Sequence, residues 1–558
     1  MAYPDYMRES LELVHKSRAE RVEIDKKGIQ NFLKPLTSEG REKVLSENHP
    51  DYKPDARRTI RIGQNKDEKL TSKVVDVLES HTILPKNFNL DPVDYETDVL
   101  VIGGGGAGCQ AAIWARLNGA KVIISTKLRM GDANSMMSQG GMQAAVNPGD
   151  SPLIHYLDAM GGGHFDNKPE LLKILTKEAP IAVKDLEDLG VIFDRLPDGN
   201  LQTKAGGGGS RRRMLSSRDY TGAEIMRVLR DEVRNHPEEI TILEYFPAIE
   251  LIKDEDGKVA GAILFNMETG EYAVVKAKAV IMATGGFGRL HINDFPTTNH
   301  YGATMDGLVM AYRAGARLIH MDSVQFHPTG AVYPPQILGF LITEKIRGFG
   351  GQPVNKNGEL FVFPLEPRDI EASDYIQECR AGKGINTPDG HVGIWLDSPI
   401  IEMIHGAGTI EKNFPAMYRQ YKRFDIDIRK DPMLVYPTLH YQNGGIEIGE
   451  KTESTIPGLL SAGECSGGVH GRNRLMGNSV LDYNVFGKLA GIEAARIAKE
   501  TEIKGKLSID HVWKYEEELK QAGIETIRKS PVLLPEYRNL SILKKHCDDY
   551  DPFLPAGL

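Results

Sequence analysis

The stretch TDVLVIGGGGAGCQAAIWARLNGAKVIIST, residues 97–126, decides the fold. It opens on a short apolar run, breaks at four consecutive glycines, and continues with Ala111, Ala112, Ala115 and Leu117 available for packing. A second apolar run follows from Lys121 to Ser125. This order predicts strand, tight turn, helix, strand, with Gly119 ending the helix. Gly103, Gly105 and Gly108 form G-x-G-x-x-G at the strand–helix junction, with Gly106 and Ala107 inside the same turn. Absent side chains permit the turn and let a pyrophosphate approach the backbone, while the helix N-terminus favours its negative charge. The predicted class is α/β, built on a Rossmann-like dinucleotide-binding domain.

An acid normally ends the second strand of an NAD site. Here the chain reads VIISTK through Ser125 and Lys127, which disfavours a generic NAD site. Three further patches fit FAD: SQGGM at 138–142, with Gln139, Gly140 and Gly141; ATGG at 283–286, with Ala283, Thr284 and Gly285; and SAGEC at 461–465. Glu464 in the last is suited to accept hydrogen bonds from cofactor hydroxyls. NRLMGNS at 473–479 leads into a helix expected from about Ser479 to Glu500, capped by Asn478 or Ser479, whose positive end suits a reduced flavin.

The chain has 558 residues, 41% of them apolar, and a net charge of −9, so it can bury several layers and is a poor candidate for a nucleic-acid binder. No stretch approaches the roughly 18 apolar residues of a membrane span. The start, MAYPDYMRESLELVHKSRAE, lacks the features of a secretory signal, so the expected location is the cytoplasm, with any membrane contact made through partner subunits. Cys109, Cys379, Cys465 and Cys547 form no C-x-x-C pair. No metal site is expected, and any iron–sulfur wire belongs to another chain. Five regions are expected: a charged, mainly helical extension, 1–95, with a helical pattern at Tyr6 to Arg21; a first FAD-binding part, 96–320; a capping domain, 321–433; a second FAD-binding part, 434–500; and a short helical segment, 501–558. The extension has two open readings, solvated helices or a docking arm for a partner.

VQFHPTG at 324–330, LITEKIRGFGG at 341–351, EPRD at 366–369, PTLHYQNGG at 437–445 and AGECSGGVHGRNRLMGNS at 462–479 follow in an order and spacing that resemble the flavoprotein subunits of fumarate reductases and succinate dehydrogenases. The resemblance spans roughly residues 95–495. It implies FAD-dependent interconversion of fumarate and succinate, with hydride from flavin N5 and a proton from Arg368. Glu344 and Arg347 match the relay that reloads that arginine, whose ordinary pKa above about 12 makes a neighbouring carboxylate necessary. His327, Thr343, His440 and Arg474 match the substrate-holding positions, and a planar guanidinium suits a carboxylate. Ser125, Lys127, Asn134, Ser135 and Asp306 join the cofactor positions, and an iron–sulfur subunit is the implied partner.

The family's RGEGG reads RGFGG here, with Phe349 for the acid, and its TGDG reads TMDG around Asp306. Membrane-bound members attach FAD through a histidine in a segment resembling SHTVAAQGG. This chain has ANSMMSQGG, with Asn134 at that place and no histidine between His81 and His155, so FAD is expected to be non-covalent and fumarate reduction favoured. L-Aspartate oxidases share much of the pattern but carry an acid in a TREGG-like stretch, where this chain has TKAGG and Ala205. A third reading is a subunit that keeps FAD for electron transfer and has lost the substrate; the six residues His327, Thr343, Glu344, Arg368, His440 and Arg474 argue against it.

Overall fold

The computed structural model describes residues 3–534; Cys547 and the rest of the C-terminal segment after residue 534 lie outside them. Five parallel strands form the centre of the largest sheet, in the order Leu459–Ser461, Tyr272–Met282, Tyr95–Ile102, Val122–Thr126 and Ile240–Glu244. Val99, Leu100 and Val101 are fully buried, as expected for a strand covered on both faces. Val259–Phe265 extends the sheet antiparallel to the first half of Tyr272–Met282, and Ala248–Lys253 pairs antiparallel with Val259–Phe265 at the edge.

The helix Gly106–Leu117 ends as its sequence suggests, with Gly119 at φ 80°. It packs on the helix Asn478–Glu500 almost backbone to backbone. A Cβ on Gly491 would lie 2.3 Å from the Ala111 carbonyl oxygen, so any side chain there would force the helices apart. This spacing brings the N-termini of both helices to one cleft.

A second, antiparallel sheet has the order Val324–Ala331, Met433–Gln442, Val392–Asp397 and Gln352–Val354. Trp395, Phe414 and Tyr421 belong to its apolar core. The strand Met433–Gln442 crosses the boundary expected at 433/434, and its register sets His327 opposite Thr438, two residues before His440.

The N-terminal extension is packed structure. Its first helix, Arg8–Lys26, runs one turn beyond the predicted span, and a second, Ser38–Asn48, is capped by Thr37. Arg18 and Arg21 both reach Asp397, each at 2.7 Å, and the Tyr3 hydroxyl donates to the Pro432 carbonyl at 2.5 Å. Leu36 N and Arg41 donate to Glu366, at 2.6 and 2.8 Å, and Asp51 accepts from Val324 N at 2.9 Å. These particular charges are matched within the chain, while most of the first helix faces solvent and only Val14, Arg21 and Val22 of it are buried. Arg21→Ala leaves Asp397 half-neutralised and is expected to cost about 2 kcal/mol. Limited proteolysis should then cut first within residues 3–50; an unchanged cleavage pattern would show that the strap is held otherwise.

Candidate active site

A cleft open to solvent runs from the glycine-rich turn to the second sheet. At the nucleotide end Gly103 has φ 120°, and a Cβ there would lie 2.2 Å from the Ala283 carbonyl oxygen. Gly103, Gly105, Gly106 and Ala107 line the cleft; Gly108 is packed behind the turn, where a Cβ would meet the Gly103 oxygen at 1.8 Å. Ser135 Oγ accepts from Gly106 N at 3.1 Å and ties the turn to the segment of Gln139, Gly140 and Gly141.

Not every expected contact points freely into the cleft. Ser125 donates to the Phe246 carbonyl at 2.5 Å, and Lys127 donates to Thr304 and Asp306 at 2.7 and 2.5 Å. Asn134 donates to Asn299 at 2.7 Å and to Glu464 at 3.2 Å. Burial pushes Glu464 up to about 6. Neither Asn478 nor Ser479 caps its helix. Gly477, at φ 80°, takes the N-cap position without a side-chain bond, and Asn478 turns away to His155 at 3.0 Å. Gly477 and Ser479 line the cleft, so N–H groups of the uncapped first turn are available to an anionic ligand. Thr284, Gly285 and Asp306 line it as well.

At the other end Arg368 begins the helix Arg368–Glu378, and Arg474 lies on the loop before Asn478. Arg368 Nη1 and Arg474 Nη2 donate to the same atom, Gln325 Oε1, at 3.0 and 2.9 Å. Arg368 Nε donates to Glu344 Oε2 at 2.7 Å, and Arg347 Nη2 stands 3.4 Å from that oxygen. Gly207 N donates to the other Glu344 oxygen at 2.8 Å. The His327 and His440 rings meet edge to face at 4.9 Å; Thr298 Oγ1 bonds His440 Nδ1 at 2.7 Å, and Thr343 lies beside them in the cleft. Arg474 also sits over the Tyr441 ring at 4.2 Å.

Burial and the nearby Arg368 drive both imidazoles well below the ordinary histidine range, so they are neutral at pH 7 and suited to hydrogen bonding. Burial, reinforced by Arg368, lowers Arg474 to about 9. Burial also lowers Arg368, against the pull of Glu344. For Glu344 burial favours the neutral acid, but Arg368 and Arg347 outweigh it and hold the carboxylate below its ordinary range. Arg368 pairs with Glu344, whereas Arg474 makes no ion pair among the described residues, an excess of positive charge that an anionic ligand would correct.

Residues 98–480 match the FAD binding domain family model. One component of the fumarate reductase (CoM/CoB) of Methanothermobacter marburgensis is 39% identical over 80% of each chain, and the L-aspartate oxidase of Nostoc sp. is 35% identical over 75% of this chain and 72% of that one. The solved E. coli quinol fumarate reductase FrdA superposes with a TM-score of 0.69 at 31% identity, covering 76% of this chain and 74% of its own. The chain belongs to the fumarate reductase and succinate dehydrogenase flavoprotein family. It is an FAD-dependent oxidoreductase.

As a flavoprotein of this family, the chain has a cleft whose residues fit FAD. The turn closes around Gly103 without a Cβ, and Gln139 Oε1 is buried with no hydrogen-bond partner among the described residues. The fumarate reductase reading from sequence overlooked Gln325, which joins the two arginines, and Thr298, which orients His440. Gln325 stands two residues before His327 in VQFHPTG, so its position was visible but its partners were not. Among the described residues no helix is long and apolar enough to cross a membrane.

Proposed function

We propose that the chain reduces fumarate to succinate as the FAD-bearing subunit of an electron-transfer complex. The convergence of Arg368 and Arg474 on Gln325 Oε1, with Glu344 behind Arg368, carries this reading, because it presents two cations to a small dicarboxylate. Bound FAD supplies the hydride to one alkene carbon. Arg474 holds one carboxylate through paired hydrogen bonds, while neutral His327 and His440 with Thr343 hold the other and fix the alkene plane. Arg368 gives the proton to the second carbon, and Glu344 reloads it with a proton taken from Arg347. Residues 321–433 act as the cap that presents Arg368 and excludes water.

The test offers fumarate and L-aspartate side by side to the FAD-loaded protein, with a reduced dye as donor in one assay and an electron acceptor in the other. Turnover of fumarate alone is expected, in keeping with Ala205, where an acid for an amino group would stand. Aspartate oxidation would reassign the enzyme, and binding of neither dicarboxylate would reduce it to an electron carrier.

Electrons reach the flavin, on this reading, from an iron–sulfur subunit. Cys109 and Cys379 are thiols that burial pushes up to about 12, which makes them poor cluster ligands. Full turnover by the chain alone with its physiological donor would remove the need for that subunit.

FAD is held without a covalent link, because Asn134 at the place of attachment offers an amide already bonded to Asn299 and Glu464. Acid precipitation is expected to leave the yellow cofactor in the supernatant. Flavin fluorescence on the denatured chain would contradict this.

A further inference from the structure

The relay from Arg368 through Glu344 to Arg347 stops short of solvent. The Arg347 side chain is 0% exposed and cannot be reloaded by water directly. Its Nη2 faces Glu344 and its Nη1 bonds both the Pro364 carbonyl, at 2.8 Å, and Glu371 Oε2. Glu371 is itself fully buried, and its other oxygen accepts from the Tyr375 hydroxyl at 2.7 Å.

Glu371 lies on the helix Arg368–Glu378, one turn beyond the arginine that faces the cleft. Arg368, Glu371, Asp374, Tyr375 and Glu378 recur at spacings of three and four and share one side of it. Exposure rises along that line, from buried Glu371 to half-buried Asp374 and Glu378. A plain counter-charge for Arg347 would need no such series of acids leading outward.

We propose that Glu371 is the outer member of the proton relay, acting through Arg347 and refilled from solvent by way of Asp374. This rests on the fumarate-reducing reading above. In each turnover Arg368 gives one proton to the substrate carbon, Glu344 passes it one from Arg347, and Arg347 takes one from Glu371. Glu371 then regains a proton from water, so every group ends as it began and one proton has moved from solvent to product. Burial supports this by pushing Glu371 up to about 8 and Asp374 up to about 7, so that Glu371 holds a proton at neutral pH. The charged and titratable groups that set its value are Arg347 and Glu344 from the 341–351 segment, and Tyr375 and Asp374 from its own helix.

The experiment measures fumarate reduction by the FAD-loaded protein, with reduced methyl viologen as donor, across pH 6 to 9 in roughly half-unit steps. Wild-type kcat is expected to fall above about pH 8; Glu371→Gln is expected to lower kcat by at least about 10-fold with KM little changed, and to remove that fall. Tyr375→Phe removes a bond that favours the ionised carboxylate, so that fall should move to higher pH. Formate added to Glu371→Ala should restore part of the rate, which a purely structural loss would not allow. A Glu371→Gln enzyme with the wild-type rate and pH profile overturns the proposal, as does a variant that loses rate, raises KM and responds to no added acid. A wild-type protein that never reduces fumarate overturns the functional reading itself, and the relay with it.

Discussion

Arg368→Ala is expected to lower fumarate reduction by roughly 10²–10⁴-fold while FAD stays bound. The guanidinium lies in the cleft with one edge on Glu344 and another on Gln325. The imidazoles beside it among the described residues, His327 and His440, are held neutral by burial and by Arg368 itself, so neither can replace it as the acid at pH 7. Glu344 keeps Arg347 and the Gly207 amide after the substitution, so the fold should survive. FAD content is read from flavin absorbance after gel filtration, and turnover with a reduced dye. Near-normal turnover in a flavin-replete variant would remove Arg368 from the mechanism.

Arg474→Ala should act earlier, on capture. Losing a buried cation from a carboxylate site costs about 3 kcal/mol, on the order of 100-fold in kcat/KM, with KM rising as well as kcat falling. Lysine is not expected to rescue it, because one ammonium cannot reproduce the paired bonds of a planar guanidinium. A pH dependence follows from the same residue. Arg474 binds a dianion only when protonated, and burial with Arg368 has lowered it to about 9. Affinity for fumarate or succinate should therefore be full at neutral pH and fall as pH rises through about 9. Flavin-perturbation titrations at several pH values read this directly; a flat affinity from neutral to alkaline pH would place the carboxylate elsewhere.

What could be read in the sequence is what is encoded locally. Strand, glycine turn and helix at 97–117 depend on neighbours a few residues apart, and Gly119 ends its helix for reasons of backbone conformation alone. The helix at Asn478 misled because a polar residue at its start is a strong capping signal, whereas the chain uses Gly477 in a left-handed conformation and turns Asn478 toward His155. Gln325 was hidden for a different reason: it bridges Arg368 and Arg474, 43 and 149 residues away, and no spacing rule links them. Glu371 carries no local signal, and only burial against Arg347 sets it apart.

The strap at the N-terminus also bears on how the molecule is made. Its first helix pairs Arg21 with Asp397, 376 residues later in the chain, and Tyr3 reaches Pro432 across 429. At a synthesis rate of roughly 5–20 residues per second, the helix waits about 20–75 s after leaving the ribosome before the surface it covers exists. An apolar segment exposed that long would invite aggregation, whereas RESLELVHKSRAERVEIDK stays hydrated until its partner arrives. Its dense charge, which resembles a solvated surface when read alone, lets a segment made hundreds of residues before its partner be among the last to dock.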